Sequence, residues 1–115
     1  MPKKSNSSNG GDVRKNNKPE FRYENKVTRG HPTYIYAKEG KTYKFIGITH
    51  APITRGIKNI ALDKNPEPGK TEKAHIRPVP QKSSAKNFGK TLPDWKFAET
   101  DKPKVKRDIK KDKKK

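Results

Sequence analysis

The sequence predicts a mainly β protein, a small single-domain barrel or half-barrel of about five short antiparallel strands with disordered basic termini. Three observations support this fold class. A chain of 115 residues has room for one domain, because domains usually span roughly 100–200 residues. Positions 31–98 hold 23 of the 30 apolar residues. Within that stretch, β-branched and aromatic runs alternate with segments rich in proline, glycine, lysine and asparagine.

The clearest strand signal is a pair of runs, TYIYA and TYKFIGIT, separated by the four residues KEGK. This pattern predicts a β-hairpin with a two-residue turn at Glu39-Gly40. Such a turn would pair Tyr36 with Tyr43 and Tyr34 with Phe45. Because side chains alternate along a strand, the four rings would share one face and the isoleucines of the hairpin the other.

Three weaker strands are predicted at residues 57–62, 74–79 and 94–98, joined by loops rich in turn-forming residues. Pro78 and Pro80 place the second of these at a sheet edge, because proline cannot donate a hydrogen bond to a central ladder.

The chain divides into a disordered basic N-terminal arm at 1–19, a small β-rich domain at 20–99 with its core at about 31–98, and a lysine-rich tail at 100–115. Residues 20–30 place three apolar side chains among charges, which favours a short edge strand or an extended segment docked on the domain. In the tail, Val105 and Ile109 could dock as one helical turn, but repulsion between like charges favours disorder.

The net charge of +18 is positive in every segment, at +4 in the arm, +8 in residues 20–100 and +6 in residues 101–115. A domain that keeps so much positive charge repels itself, and the usual compensation is a polyanionic partner such as nucleic acid. The plainer alternative is a basic protein whose charge serves only its solubility.

Several classes of protein are excluded or disfavoured. The sequence has no apolar window of about 18 residues that could cross a membrane, and no apolar stretch after its first lysines that would act as a secretory signal. A cytoplasmic location is therefore expected. The absence of cysteine excludes disulfides, thiol catalysis and cysteine zinc sites. The three histidines lack ligand spacing, so neither a metal nor another cofactor is expected.

Nucleic-acid binding is predicted to use cations interleaved with aromatic rings, because cations neutralise phosphates and rings stack on unpaired bases. The candidate cations are Lys38, Lys41, Lys44, Arg55, Lys58, Arg77 and Lys96, and the candidate rings are Tyr34, Tyr36 and Tyr43. In so small a domain, these rings could instead belong to the core. No glycine-rich phosphate loop, zinc-finger spacing or RNP motif is present, so phosphate contacts are expected to dominate.

Two further functions are compatible with the residues. A metal-independent ribonuclease needs a general acid and base with cations for the phosphorane charge, and His50 and His75, with the Thr49 hydroxyl, are the candidate catalytic groups. An ordinary exposed or hydrogen-bonded role is the alternative for each histidine. The third possibility is an adaptor for an acidic protein that docks through the tyrosine-rich hairpin.

Three short motifs, GITH at 47–50, NPEP at 65–68 and DWKF at 94–97, lie within the stretch from about residue 43 to 97. In these motifs the chain resembles short basic proteins of bacteria, phages and mobile elements whose domains are grouped with the barnase, EndoU, colicin and RelE-like ribonucleases. The resemblance implies a small β-sheet nuclease-like fold that acts without metal. It carries Thr49 and His50 over as candidate site residues.

Overall fold

A computed structural model describes residues 18–113, which form antiparallel β structure followed by one helix. The elements are β1 (Glu20–Glu24), β2 (His31–Glu39), β3 (Thr42–Thr49), β4 (Ile53–Thr54), β5 (Ile57–Lys58), β6 (Ile60–Ala61), β7 (His75–Ile76), β8 (Gln81–Ser84), a 3₁₀ turn (Ala85–Asn87), β9 (Phe88–Thr91) and α1 (Lys102–Lys113). The predicted mainly β class is confirmed.

Seven strands form one sheet in the order β6-β7-β3-β2-β1-β9, with β8 also paired to β3, while β4 and β5 form a separate hairpin. Over residues 18–113 this sheet is not closed, so the predicted barrel or half-barrel is only partly supported. The predicted N-terminal arm lies outside the described residues except for its last two positions. In the described part of the chain, no helix has the length and apolar character needed to cross a membrane.

The central β2–β3 hairpin turns one residue later than predicted. Glu39 pairs with Thr42, so Gly40 and Lys41 form the turn, and Gly40 takes a φ of +62° at the first turn position, where hairpins favour glycine. A bulge at Tyr36 then shifts the register between Ile35 and Ala37. The predicted pairing of Tyr36 with Tyr43 is therefore wrong.

The corrected register divides the rings between the two faces of the sheet. Tyr34 lies opposite Ile46 and packs with it in the larger core cluster. Ile35 lies opposite Phe45 and packs with it in a smaller cluster on the other face. Tyr36 joins the first cluster and Tyr43 the second, so the tyrosine-rich face expected from the sequence does not form.

The outer edge of β3 is lined by one stretch of chain that pairs with it twice. At one end β7 pairs with β3, and at the other end β8 does so. Between them, prolines at 78 and 80 interrupt the ladder, as their missing N–H groups require. The strand predicted at 74–79 is therefore reduced to His75–Ile76, and it lies between β3 and β6 rather than at an edge.

Two further predicted strands were wrong, and two strands were not predicted. Residues 57–62 form two short strands rather than one, and residues 94–98 form no strand. The aromatic residues of segment 94–98 pack in the core, where the Phe97 ring centroid lies 5.0 Å from that of Phe21. The polar sequences QKSS and FGKT form β8 and β9 instead, because strands already in the sheet provide their ladder partners.

The first and last elements both belong to the larger core, which extends beyond the predicted limits of 31–98. Strand β1 carries Phe21 into the cluster and lies between β2 and β9, so it is not an edge strand. Helix α1 buries Val105 in the same cluster, which corrects the prediction of a disordered tail for residues 102–113. The buried Asp101 carboxylate ties the helix start to the sheet by accepting the Asp63 and Lys64 N–H groups, at 2.7 and 3.1 Å.

Two buried aspartates at the helix should respond oppositely to replacement by asparagine. Asp108 is fully buried, its Oδ1 lies 3.4 Å from the Lys111 Nζ, and burial raises the pKa of the carboxyl, partly offset by Lys111. We expect Asp108→Asn to raise the free energy of unfolding by about 1 kcal/mol at pH 7. Asp101→Asn should lower it by about 2 kcal/mol, because the two N–H groups bond different carboxylate oxygens and asparagine replaces one of these with an NH₂ group.

Urea unfolding followed by Trp95 fluorescence measures both changes. Since a raised pKa means that the fold favours neutral Asp108, the advantage of Asp108→Asn should shrink as the pH falls through the folded-state pKa. Equal destabilisation by both substitutions would contradict the assignment.

Candidate nucleic-acid interface

A cavity of about 310 Å³ opens at the end of the sheet, next to the β4–β5 hairpin. Three arginines from separate segments line it, Arg29, Arg55 and Arg77, together with His31. Threonine hydroxyls at 28, 49 and 54 add hydrogen-bonding groups. We call this site the arginine pocket.

Strand alternation places the pocket on the face of the sheet opposite to α1. Gly47 and Thr49 alternate along β3 with Ile46 and Ile48, which belong to the core cluster packed by the helix. The Arg77 N–H donates to the Gly47 carbonyl at 2.9 Å. Since side chains alternate with a period of two, the positions next to buried isoleucines point towards the pocket.

The Arg77 side chain is fixed by neutral partners. Its Nη1 donates to the Asn59 Oδ1 at 2.7 Å, and the Asn59 Nδ2 donates to the Ala51 carbonyl and the Thr54 hydroxyl at 2.9 and 2.8 Å. The stem of Arg77 crosses Gly47 so closely that a Cβ there would lie 3.1 Å from the arginine Cγ. Asn59 and Gly47 therefore orient the guanidinium without neutralising it.

Arg29 and Arg55 occupy the same kind of backbone position in two turns. Each begins an Arg-Gly pair with positive φ, at +59° and +96° for Arg29-Gly30 and +50° and +79° for Arg55-Gly56. Positive φ at both central positions is the type I′ pattern of two-residue hairpins, and the second turn has that length, since Thr54 pairs with Ile57. An arginine in the left-handed region is strained, and such strain tends to cluster at functional sites.

A buried carboxylate shapes the loop that carries Arg29. Glu24 is fully buried, and its Oε1 accepts the N–H groups of Lys26 and Thr28 at 3.1 and 2.8 Å. Its Oε2 accepts the Ser83 hydroxyl at 2.8 Å. The Thr28 hydroxyl donates to the Glu24 carbonyl at 2.6 Å, so the turn that presents Arg29 is held from both sides.

The pocket keeps its positive charge because carboxylates are used elsewhere. No aspartate or glutamate among the described residues lines it, and within residues 18–113 none of its arginines forms an ion pair. Some carboxylates elsewhere are buried, as Glu24 and Asp101 are, and others pair with lysine, as Asp63 does with Lys104 at 3.1 Å.

The cations predicted for binding divide into three groups. Arg55 and Arg77 line the pocket. Lys38 has a side chain 6% exposed that pairs with Glu20 and lies over the Tyr43 ring, and Lys44 pairs with Glu39 at 3.2 Å. The remaining lysines are exposed away from the pocket, namely Lys41, Lys58 and Lys96. The tyrosines pack against the two cores.

The predicted catalytic residues come together beside the arginine pocket. Thr49 and His75 are direct partners across β3 and β7, and exposed His50 follows Thr49. His75 is buried, with no hydrogen-bond partner for its Nδ1. Burial, with smaller contributions from Lys73 and His50, lowers the pKa of His75, so this imidazole is neutral at pH 7.

Two lining residues, Arg29 and His31, were absent from the sequence prediction. The sequence does contain a signal for Arg29, because VTRG at 27–30 repeats as ITRG at 53–56. The two copies form the two turns at the pocket. His31 has no such signal, since its place there depends on the pairing of β1 with β2.

Comparison with known proteins identified no relative of this chain. No family model, curated protein or solved structure matches the chain.

We expect Glu24→Ala to lower the free energy of unfolding by about 3 kcal/mol, because two N–H groups and the Ser83 hydroxyl lose their acceptor. Glu24→Gln should stay within about 1 kcal/mol of the native protein, since an amide can accept from the loop and donate to Ser83. Limited trypsin digestion with mass spectrometry provides a local measure, namely cleavage after Arg29. Faster cleavage in both variants, or in neither, would contradict the proposed role of Glu24.

Proposed function

We propose that this protein binds nucleic acid, RNA or DNA, mainly through the phosphate backbone, and that the arginine pocket is its principal contact. The observation that carries the proposal is the convergence of Arg29, Arg55 and Arg77 on one cavity with no carboxylate among its described lining residues. Guanidinium groups bind phosphate oxygens in a bidentate manner that lysine cannot reproduce.

The electrostatic state of the pocket supports phosphate as the ligand. A guanidinium paired with a carboxylate must break that pair before it can bind an anion, whereas Arg77 donates to the neutral amide of Asn59. The overall charge of +18 adds long-range attraction for any polyanion and raises the rate of encounter. The pocket then concentrates that general attraction at one place.

The test compares Arg77→Ala with Arg107→Ala, which removes the same charge from an exposed position on α1. Loss of a phosphate contact should weaken binding about tenfold and reduce the slope of log affinity against log salt by about 1. Arg107→Ala should change affinity much less. Fluorescence anisotropy of a labelled oligonucleotide across a salt series measures both quantities.

Two results would contradict this proposal. The first is no binding by the native protein at low salt, and the second is an equal effect of the two substitutions. The second result would mean that the affinity reflects net charge alone and that the pocket has no special part in it.

A second candidate function, metal-independent RNA cleavage, is favoured by the histidines at the pocket edge. We propose it because cross-strand pairing sets Thr49 against His75, with His50 next in sequence. In such a reaction a neutral imidazole takes the proton of the 2′-hydroxyl, whose oxygen attacks phosphorus. The bond from phosphorus to the 5′-oxygen breaks, that oxygen receives a proton from the protonated form of the other histidine, and a 2′,3′-cyclic phosphate remains.

For this candidate, labelled single-stranded RNA should be cut in the presence of chelator, and His50→Ala should slow cutting by about 100-fold or more. Arg107→Ala is the control that should retain the native rate. DNA of the same sequence should remain intact, because it lacks the 2′-hydroxyl. Intact RNA after long incubation with the native protein would remove the nuclease candidate and leave the binding proposal in place.

A further inference from the structure

We propose that the arginine pocket takes one unpaired nucleotide of a single strand, with its phosphate on the arginines and its sugar and base against an apolar wall. This inference rests on the proposed function and specifies the form of nucleic acid that the site selects. It starts from the composition of the lining, which joins two different surfaces in one cavity.

One surface of the pocket is cationic and the other is apolar. Arg29, Arg55 and Arg77 supply the first, whereas Val27 supplies apolar atoms to the second, along with the methyl groups of the lining threonines. Val27 is 48% exposed although it belongs to a loop that Glu24 holds in place. A bare phosphate would satisfy the cations and leave this wall in water.

The size of the cavity also matches more than a phosphate. Its volume of about 310 Å³ is at the lower end of the range of roughly 300–1,000 Å³ typical of small-ligand pockets. Its lining includes one arginine from each of two turns, Arg29 from the turn at 29–30 and Arg55 from the turn at 55–56. The pocket is therefore a depression between two turns rather than a flat basic surface.

This shape discriminates between single and double strands. A base in a duplex is stacked and paired, so it can enter a depression only after it is flipped out, at a cost of a few kcal/mol. A base in a single strand is already available. The imidazole of His31 is the one ring among the described lining residues, so the base would contact that ring, aliphatic groups and the amide of Gln81, and sequence preference should be weak.

The experiment uses the full chain with a labelled single-stranded oligonucleotide and the same strand annealed to its complement, compared by anisotropy at one salt concentration. We expect at least tenfold tighter binding of the single strand. An adenosine 5′-monophosphate competitor should displace it at lower concentration than inorganic phosphate does. The same competition is run with a labelled strand that lacks a terminal phosphate. Equal binding of this strand indicates that the pocket takes an internal nucleotide, and weaker binding indicates that it takes a strand end.

The variant that isolates the apolar wall is Val27→Ser, which changes no charge. It should reduce single-strand affinity about threefold to tenfold, in line with the loss of a partly exposed valine side chain, and leave duplex affinity unchanged. Val79→Ser is the matched control, because Val79 is similarly exposed at 41% and lies outside the pocket lining.

The outcomes separate this inference from the function on which it rests. Equal affinity for single strand and duplex, or equal effects of Val27→Ser and Val79→Ser, would overturn the single-nucleotide proposal while salt-dependent binding still stands. Absence of binding to either oligonucleotide at low salt would overturn the proposed function itself.

Discussion

The position at which the central hairpin turns decides which face of the sheet every neighbouring side chain occupies. With Glu39 opposite Thr42 and an extra residue at Tyr36, the alternation along β3 sends Ile46 into the main core and Gly47 to the opposite face. A slip of one residue would exchange the two faces. The arginine pocket therefore depends on a turn at the other end of the strand that carries Gly47 and Thr49.

The charge of the pocket also depends on where the carboxylates of the chain lie. The chain has 30 basic residues and 12 acidic ones, and several of those acids are placed where they organise backbone. Glu24 orders a loop and Asp101 joins the helix to the sheet, each by accepting main-chain N–H groups. Carboxylates used in this way are not available to pair with the arginines of the pocket. The same arrangement that stabilises the loops thus leaves the pocket strongly positive.

The fold class and the central hairpin could be predicted from the sequence because β-branched and aromatic runs are local signals. The register could not, since Glu39-Gly40 and Gly40-Lys41 are both acceptable turns by composition and packing of both faces selects between them. A polar strand such as β8 has no local strand signal and forms because β3 provides its hydrogen-bonding partners. Arg55 and Arg77 were predicted as cations, but their meeting with Arg29 results from pairing between strands distant in sequence.

The positive φ angles of Arg29 and Arg55 affect how fast the arginine pocket captures an anion. An arginine at positive φ costs roughly 1–2 kcal/mol compared with a glycine there, and the fold bears this cost at Arg29 and Arg55 before any ligand arrives. The backbone at the two turns is already in place, so an incoming anion has only side-chain rotamers to order. Such preorganisation favours rapid capture at the first productive collision, with differences in affinity between ligands expressed chiefly in how long each one stays.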